Sequence, residues 1–166
     1  DSQTAIKYIN QLRNKYGRKS IIFDRRVYNL AVARAKDMHK YKYYDHTNPH
    51  NGDCPDKLKK RYGFKQNEYV AENINGYENY SEYLFPKVKF QEMTDAVDSW
   101  MNSRGHRYNL LYKKHIAGAV GCHKDKCVFL GLNHQKFGSG CFTAAEGKQY
   151  WNKLPKQTGE IIWNKK

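Results

Sequence analysis

The strongest constraint on this chain's fold lies in residues 117–133. Two apolar runs, Ala117-Gly-Ala-Val-Gly121 and Val128-Phe-Leu-Gly-Leu132, flank the polar stretch His123-Lys-Asp-Lys126. That pattern reads as a β-hairpin with a tight turn. A third strand is predicted over 69–75. Alternation there puts Val70, Glu72 and Ile74 on one face and Ala71 and Asn73 on the other. Glu72 therefore shares a face with two apolar residues, and an unpaired buried carboxylate is costly, so Glu72 is either paired or functional. Helical periodicity surrounds these strands. Ala5, Ile6, Ile9, Leu12 and Tyr16 form a stripe over 4–16, with Gly17 as a stop. Asp24 can cap a second helix to about Lys40, with a stripe of Val27, Leu30, Ala31, Arg34 or Ala35, and Met38. Pro55, after Cys54 or Asp53, opens a short third helix to Tyr62, which Gly63 closes. The expected fold is α+β: a three-layer α-β-α sandwich with a central antiparallel sheet from about 70–75, 117–122 and 127–133.

The 166 residues suit a single domain over 1–166, long enough to bury roughly two-thirds of the unfolded surface. Mean hydropathy is -0.97. The core is lean, and 14 tyrosines supply large faces with a polar tip. No apolar run approaches the length of a membrane span. The chain opens at Asp1 on a polar segment, so a leader removed beforehand is expected. The net charge of +14 favours contact with polyanions such as acidic polysaccharide or an anionic membrane surface. The basic residues are nevertheless scattered, without the aromatic interleaving of a nucleic-acid motif, so no specific nucleic acid is expected. A basic surface on a secreted protein is the favoured reading. Cys54, Cys122, Cys127 and Cys141 lack the two-residue spacing of zinc or redox motifs. An even count favours disulfides. Cys122 with Cys127 would close a very small loop and Cys54 with Cys141 a long one; four buried thiols are the alternative.

Residues 95–111 read as a helix, a tight turn and a histidine. Thr94 is the expected N-cap, and Asp95 and Asp98 complement the helix dipole. Ala96, Val97, Trp100 and Met101 make the apolar stripe. Gly105 is expected to break the helix, leaving His106 just past its end and aimed into a pocket, with Leu110 and Leu111 buried beyond. The tail from Phe142 lacks periodicity, although Tyr150, Trp151, Ile161, Ile162 and Trp163 can cover the domain as an extension over 142–166. Residues 76–91 resist assignment and hold one glycosylation sequon at Asn79.

Trp100-Met101-x-Ser103-x-x-His106-Arg107-x-Asn109-Leu110-Leu111 resembles the signature of the CAP superfamily of cysteine-rich secretory proteins, antigen 5 and pathogenesis-related-one proteins. Leu30-Ala31 through Met38, Tyr43-Tyr44-Asp45-His46, Gly63-Phe64 and Val70-Ala71-Glu72-Asn73-Ile74 resemble its other segments in order. The matches run from about residue 4 to about 134 and fit the microbial branch best. The resemblance implies a central cleft in which His46, Glu72 and His106 meet, able to hold zinc or another divalent cation, or a small ligand. Without metal, Glu72 would fix the tautomer of one imidazole. In animal and plant members a second glutamate follows the tryptophan by one turn; here that position is Ser103, so the full ligand set is not intact. Ser103 lies three residues before His106 but lacks a nucleophile elbow, and is read as orienting the turn or a histidine. Glu92 and His50 are further candidates near the cleft, while His39, His115, His123 and His134 are read as surface or loop residues. The expected function is a secreted, monomeric, non-enzymatic CAP/SCP module for extracellular or cell-envelope binding. One alternative is a metal-dependent hydrolase with Glu72 as base. The other is a lipid, sterol or polyanion binder at a membrane or wall surface.

Overall fold

The computed structural model describes residues 1–76 and 92–154. Within them the strands are β1 (Ile22–Phe23), β2 (Tyr69–Asn75), β3 (Ala117–His123) and β4 (Lys126–Asn133), joined in one sheet of order β1-β3-β4-β2. The helices are α1 (Ser2–Lys15), α2 (Arg25–Lys40), α3 (Pro55–Leu58, continued by a 3-10 turn to Tyr62), α4 (Met93–Met101), α5 (Arg104–Leu110) and α6 (Ala144–Lys153).

The apolar runs at 117–133 form the predicted hairpin, with Ala119 opposite Leu130 and Cys122 opposite Cys127. β4 is buried along its whole length because β3 and β2 flank it and helices cover both faces. Val70, Ile74, Ala119, Val128, Leu130 and Leu132 pack with Val27, Leu30, Ala31, Ala35 and Met38 of α2. Val120 and Phe129 pack on the opposite side with Ile6 and Ile9 of α1 and Val97 and Trp100 of α4. This is the expected three-layer sandwich. Gly121 marks the tightest contact: a Cβ there would lie 2.5 Å from the Val32 nitrogen, so α2 can press on β3 only where a side chain is missing.

The sheet also has a strand that the sequence did not announce. β1 pairs parallel to β3, Ile22 with Ala117, so the edge is mixed rather than purely antiparallel. Two residues are too few to alternate visibly. The Asn10 amide fixes this segment, exchanging hydrogen bonds of 2.8 Å with Ile21 N–H and C=O. Asp24 caps α2 as expected, accepting from the Arg26 and Val27 amides. Gly63 closes the 3-10 turn at φ 86, a left-handed conformation that suits glycine. Both disulfides form, Cys54–Cys141 and Cys122–Cys127.

Three expectations are corrected. The N-cap of α4 is Glu92, and Thr94 lies inside the first turn. The break after α4 falls at Asn102 and Ser103, so Gly105 and His106 sit within α5. Gly105 has no turn role; it gives room to Trp151, whose ring would lie 3.1 Å from a Cβ there. The tail is also not irregular. Thr143 accepts from the Glu146 amide and donates to its carboxylate, a capping box that starts α6. Tyr150 and Trp151 do cover the domain, packing with Ala71, Tyr108 and Phe137. Asn79, Ile161, Ile162 and Trp163 fall outside the described residues.

Candidate functional site

Glu72 sits on the α2 side of β2, and there it meets Arg34. The buried face of α2 carries both Arg34 and Ala35, and the Arg34 side chain is fully buried. Its Nε donates to Glu72 Oε2 at 2.8 Å and its Nη2 to Oε1 at 3.1 Å. The remaining Arg34 protons go to Tyr43 Oη and to the carbonyls of Asp45 and His46. This bidentate pair ties α2 to β2 and to the segment carrying His46. Burial would raise the Glu72 pKa, but the charge of Arg34 and hydrogen bonds from His46 and Arg34 outweigh it and hold the carboxyl below its usual range. Glu72 is the paired case.

The same carboxylate sets His46. His46 Nδ1 lies 3.0 Å from Glu72 Oε1, so the ionised carboxylate accepts its proton there. The ring's other nitrogen, Nε2, is then left for another partner. Gly147 of α6 passes beside the ring, with room for only ordinary contact.

His106 approaches from the other side of β2. Its helix is docked by amides: Asn73 Nδ2 donates to the His106 carbonyl at 2.9 Å, and Asn109 Nδ2 to the Ala71 carbonyl at 3.1 Å. Asn109 Oδ1 in turn accepts from His115 Nε2 at 2.8 Å. His115, read as a surface or loop residue, does lie in a loop but is buried beneath Gly131, where any Cβ would collide with its ring. Arg13, also fully buried, donates to the Leu110 and Tyr112 carbonyls and so fixes the end of α5.

Because β2 is the sheet's edge strand, His46 and His106 can face each other around it. Between them lies a cavity of about 390 Å³, lined by both histidines together with Ser103, Arg104, Lys148 and Trp151. α6 closes the outer side. Its Ala144, Lys148, Trp151 and Asn152 are spaced as one helical face toward the cavity, and the Cys54–Cys141 disulfide ties down the segment just before it. Glu92 and His50 do not line the cavity; His50 sits against Tyr41. Ser103 precedes α5 as its N-cap residue, and among the described residues its hydroxyl makes no hydrogen bond to His106. Arg107 and Asn109 both hold backbone carbonyls.

The His46, Glu72 and His106 set does not fit a three-ligand metal centre. Among the described residues, no group of three His, Cys, Asp or Glu side chains is arranged to hold an ion. Arg34 accounts for this: it donates to both Glu72 oxygens and sets a buried positive charge against them, which opposes a cation there. Sequence reasoning missed Arg34 as a functional neighbour. An arginine on an apolar stripe and a glutamate on an apolar face were two halves of one signal.

Burial, and then the nearby His46, lower the His106 pKa to about 4. His106 is therefore neutral at pH 7, and its protonation disfavours the fold: stability falls as pH drops from the unfolded value, about 6.5, toward 4. Histidine NMR is expected to place the His106 midpoint near 4 and, in His46→Ala, to move it upward. A wild-type midpoint at an ordinary histidine value would contradict the enclosed geometry.

Comparisons with known proteins bear on the family and the fold. The sequence profile of the cysteine-rich secretory protein family (CAP) matches residues 6–131. The chain is 30% identical over 107 residues to the uncharacterized protein YkwD of Bacillus subtilis, a match covering 64% of this chain and 36% of that protein. It is 26% identical over 112 residues to the uncharacterized membrane protein YlbC of the same organism, covering 68% of this chain and 28% of YlbC. The chain thus spans about a third of the length of these relatives. Two solved structures share the fold. One is an extracellular protein from Bacillus anthracis containing an SCP domain, with TM-score 0.65 and 23% identity over 80% of this chain and 40% of that one. The other is an outer surface protein from Borrelia burgdorferi, with TM-score 0.60 and 18% identity over 78% of this chain and 90% of that one. From its profile match and its three-layer fold, the chain belongs to the cysteine-rich secretory protein (CAP) family.

Proposed function

We propose that this chain is an extracellular binding module whose cavity at the β2 edge takes a small ligand without chemical turnover. The observation that carries this reading is the cavity itself. Its size lies within the roughly 300–1,000 Å³ typical of small-molecule sites, and it joins two imidazoles to an aromatic wall. His46 is pre-oriented by Glu72, so its free nitrogen needs no reorganisation on binding. The two disulfides and the extracellular or surface origin of two similar structures support a secreted setting. Among the described residues no helix is long and apolar enough to cross a membrane.

The hydrolase alternative has less support. A general base needs a free lone pair near the reacting proton, and both Glu72 oxygens face Arg34 or His46. The lipid-surface alternative rests on the net charge of +14 and on exposed tyrosines. Among the described residues the exposed large apolar side chains are Ile22, Tyr41 and Ile116, none of them lining the cavity.

An NMR screen of small organic molecules tests the binding reading. Binders are expected to shift the His46, His106 and Trp151 side-chain signals in the wild type. They should lose this effect in Ala144→Phe, which puts a ring into the cavity from the exposed wall. Shifts of equal size in both proteins, or binders that never touch those three signals, would count against the cavity as the binding site.

A further inference from the structure

We propose that the ligand of this cavity is a small organic anion, an oxyanion group on a flat apolar body, with Lys148 as its counter-charge. This deepens the binding reading above and rests on it.

Charge is the first argument. Among the described residues the cavity lining contains Arg104 and Lys148 and no carboxylate. Glu72 lies behind His46, and the fully buried Arg34 already balances its charge. An anion in the cavity would therefore meet Lys148 and, among the described residues, no uncompensated negative group. A divalent or organic cation would meet the reverse. Lys148 is exposed and forms no ion pair among the described residues, so it can turn to a ligand without breaking a contact. Arg104 is already engaged, the Trp151 carbonyl at 3.5 Å being one of its contacts, which leaves Lys148 as the counter-charge.

Hydrogen bonding and shape point the same way. His106, neutral at pH 7, still offers one N–H donor. Ser103 and Asn152 add further donors around the same space. Trp151 and Ile74 line the same space and offer an apolar surface suited to an aromatic or similarly planar body. Gly105 holds the indole in place by letting its ring press directly on α5.

Lys148, Trp151 and Asn152 all belong to α6, whereas the family profile ends at residue 131. The cationic outer wall is thus built by a part of the chain beyond the shared domain, and the ligand class would be set there rather than by the family's common residues.

The test is an NMR titration of the full chain, disulfides intact, with three isosteric probes: benzoate, benzamide and benzylamine. Benzoate is expected to bind about ten-fold more tightly than benzamide, shifting the His46, His106 and Trp151 signals, and benzylamine more weakly still. Lys148→Gln, a change at an exposed position, should weaken benzoate about three- to ten-fold, as suits a partly screened ion pair, and narrow the gap to benzamide. Added salt should narrow the same gap. If benzamide or benzylamine binds as well as benzoate, the anion assignment is overturned while the small-ligand reading stands. A benzoate preference that survives Lys148→Gln unchanged overturns the role of Lys148. If none of the probes moves the three cavity signals, the anion assignment and the binding reading both fall.

Discussion

Arg34→Leu is expected to destabilise the protein by about 3–5 kcal/mol at neutral pH, the range for removing one partner of a buried ion pair. The change leaves Glu72 charged and buried, and it strips donors from Tyr43 and from the Asp45 and His46 carbonyls. The pH dependence identifies the cause. In the wild type the Glu72 pKa is depressed, so its contribution is present above the ordinary carboxylate value, about 4.3, and is lost as pH falls through the lower folded value. In the variant, burial without Arg34 raises that pKa, so the folded variant binds a proton more readily than the unfolded chain. The gap between the two proteins should narrow steadily from pH 7 to pH 4 in urea unfolding. Arg34→Leu combined with Glu72→Leu should recover much of the loss, since no orphaned charge remains. A single variant within 1 kcal/mol of wild type, or a gap that widens in acid, would mean the pair does not hold α2 to β2 as described.

The second large effect belongs to the Cys54–Cys141 disulfide. It joins residues 87 apart, and the chain-entropy account assigns such a closure about 4–5 kcal/mol. Cys122–Cys127, only 5 apart on facing strands, is worth about 2 kcal/mol on the same basis. Replacing both members of the long bridge by serine should therefore cost about twice as much as replacing the short one. The functional consequence differs as well. Cys141 lies just ahead of α6, so its loss should raise amide exchange across 144–153 and loosen the outer wall of the cavity, while the hairpin bridge should leave that helix protected. Equal stability losses from the two replacements, or unchanged exchange in α6, would contradict this division.

Much of the architecture could be read from local pattern. The apolar runs of β3 and β4, the Asp24 cap and the Gly63 stop each declare themselves within a few residues. His46 and His106 were found through motif spacing, and they do face one cavity. What escaped was non-local. Arg34 and Glu72 are 38 positions apart, and nothing near either residue states that they meet. His115 is a loop residue as read, but its burial shows only where Gly131 of β4 opens a space for its ring. α6 shows no clean stripe because it touches the domain through Gly147, Tyr150 and Trp151 rather than through aliphatic side chains. Its one legible signal was the Thr143–Glu146 capping box.

In this structure Glu72 holds His46 and pairs with Arg34, and we propose that it does so in place of ligating a metal. A crystal structure of the protein soaked with zinc at neutral pH tests that claim most directly. The account predicts Glu72 still engaged by both Arg34 nitrogens, with no metal bound to its oxygens. A zinc ion held jointly by His46, His106 and a Glu72 oxygen at about 2.0–2.2 Å, with Arg34 displaced, would contradict it.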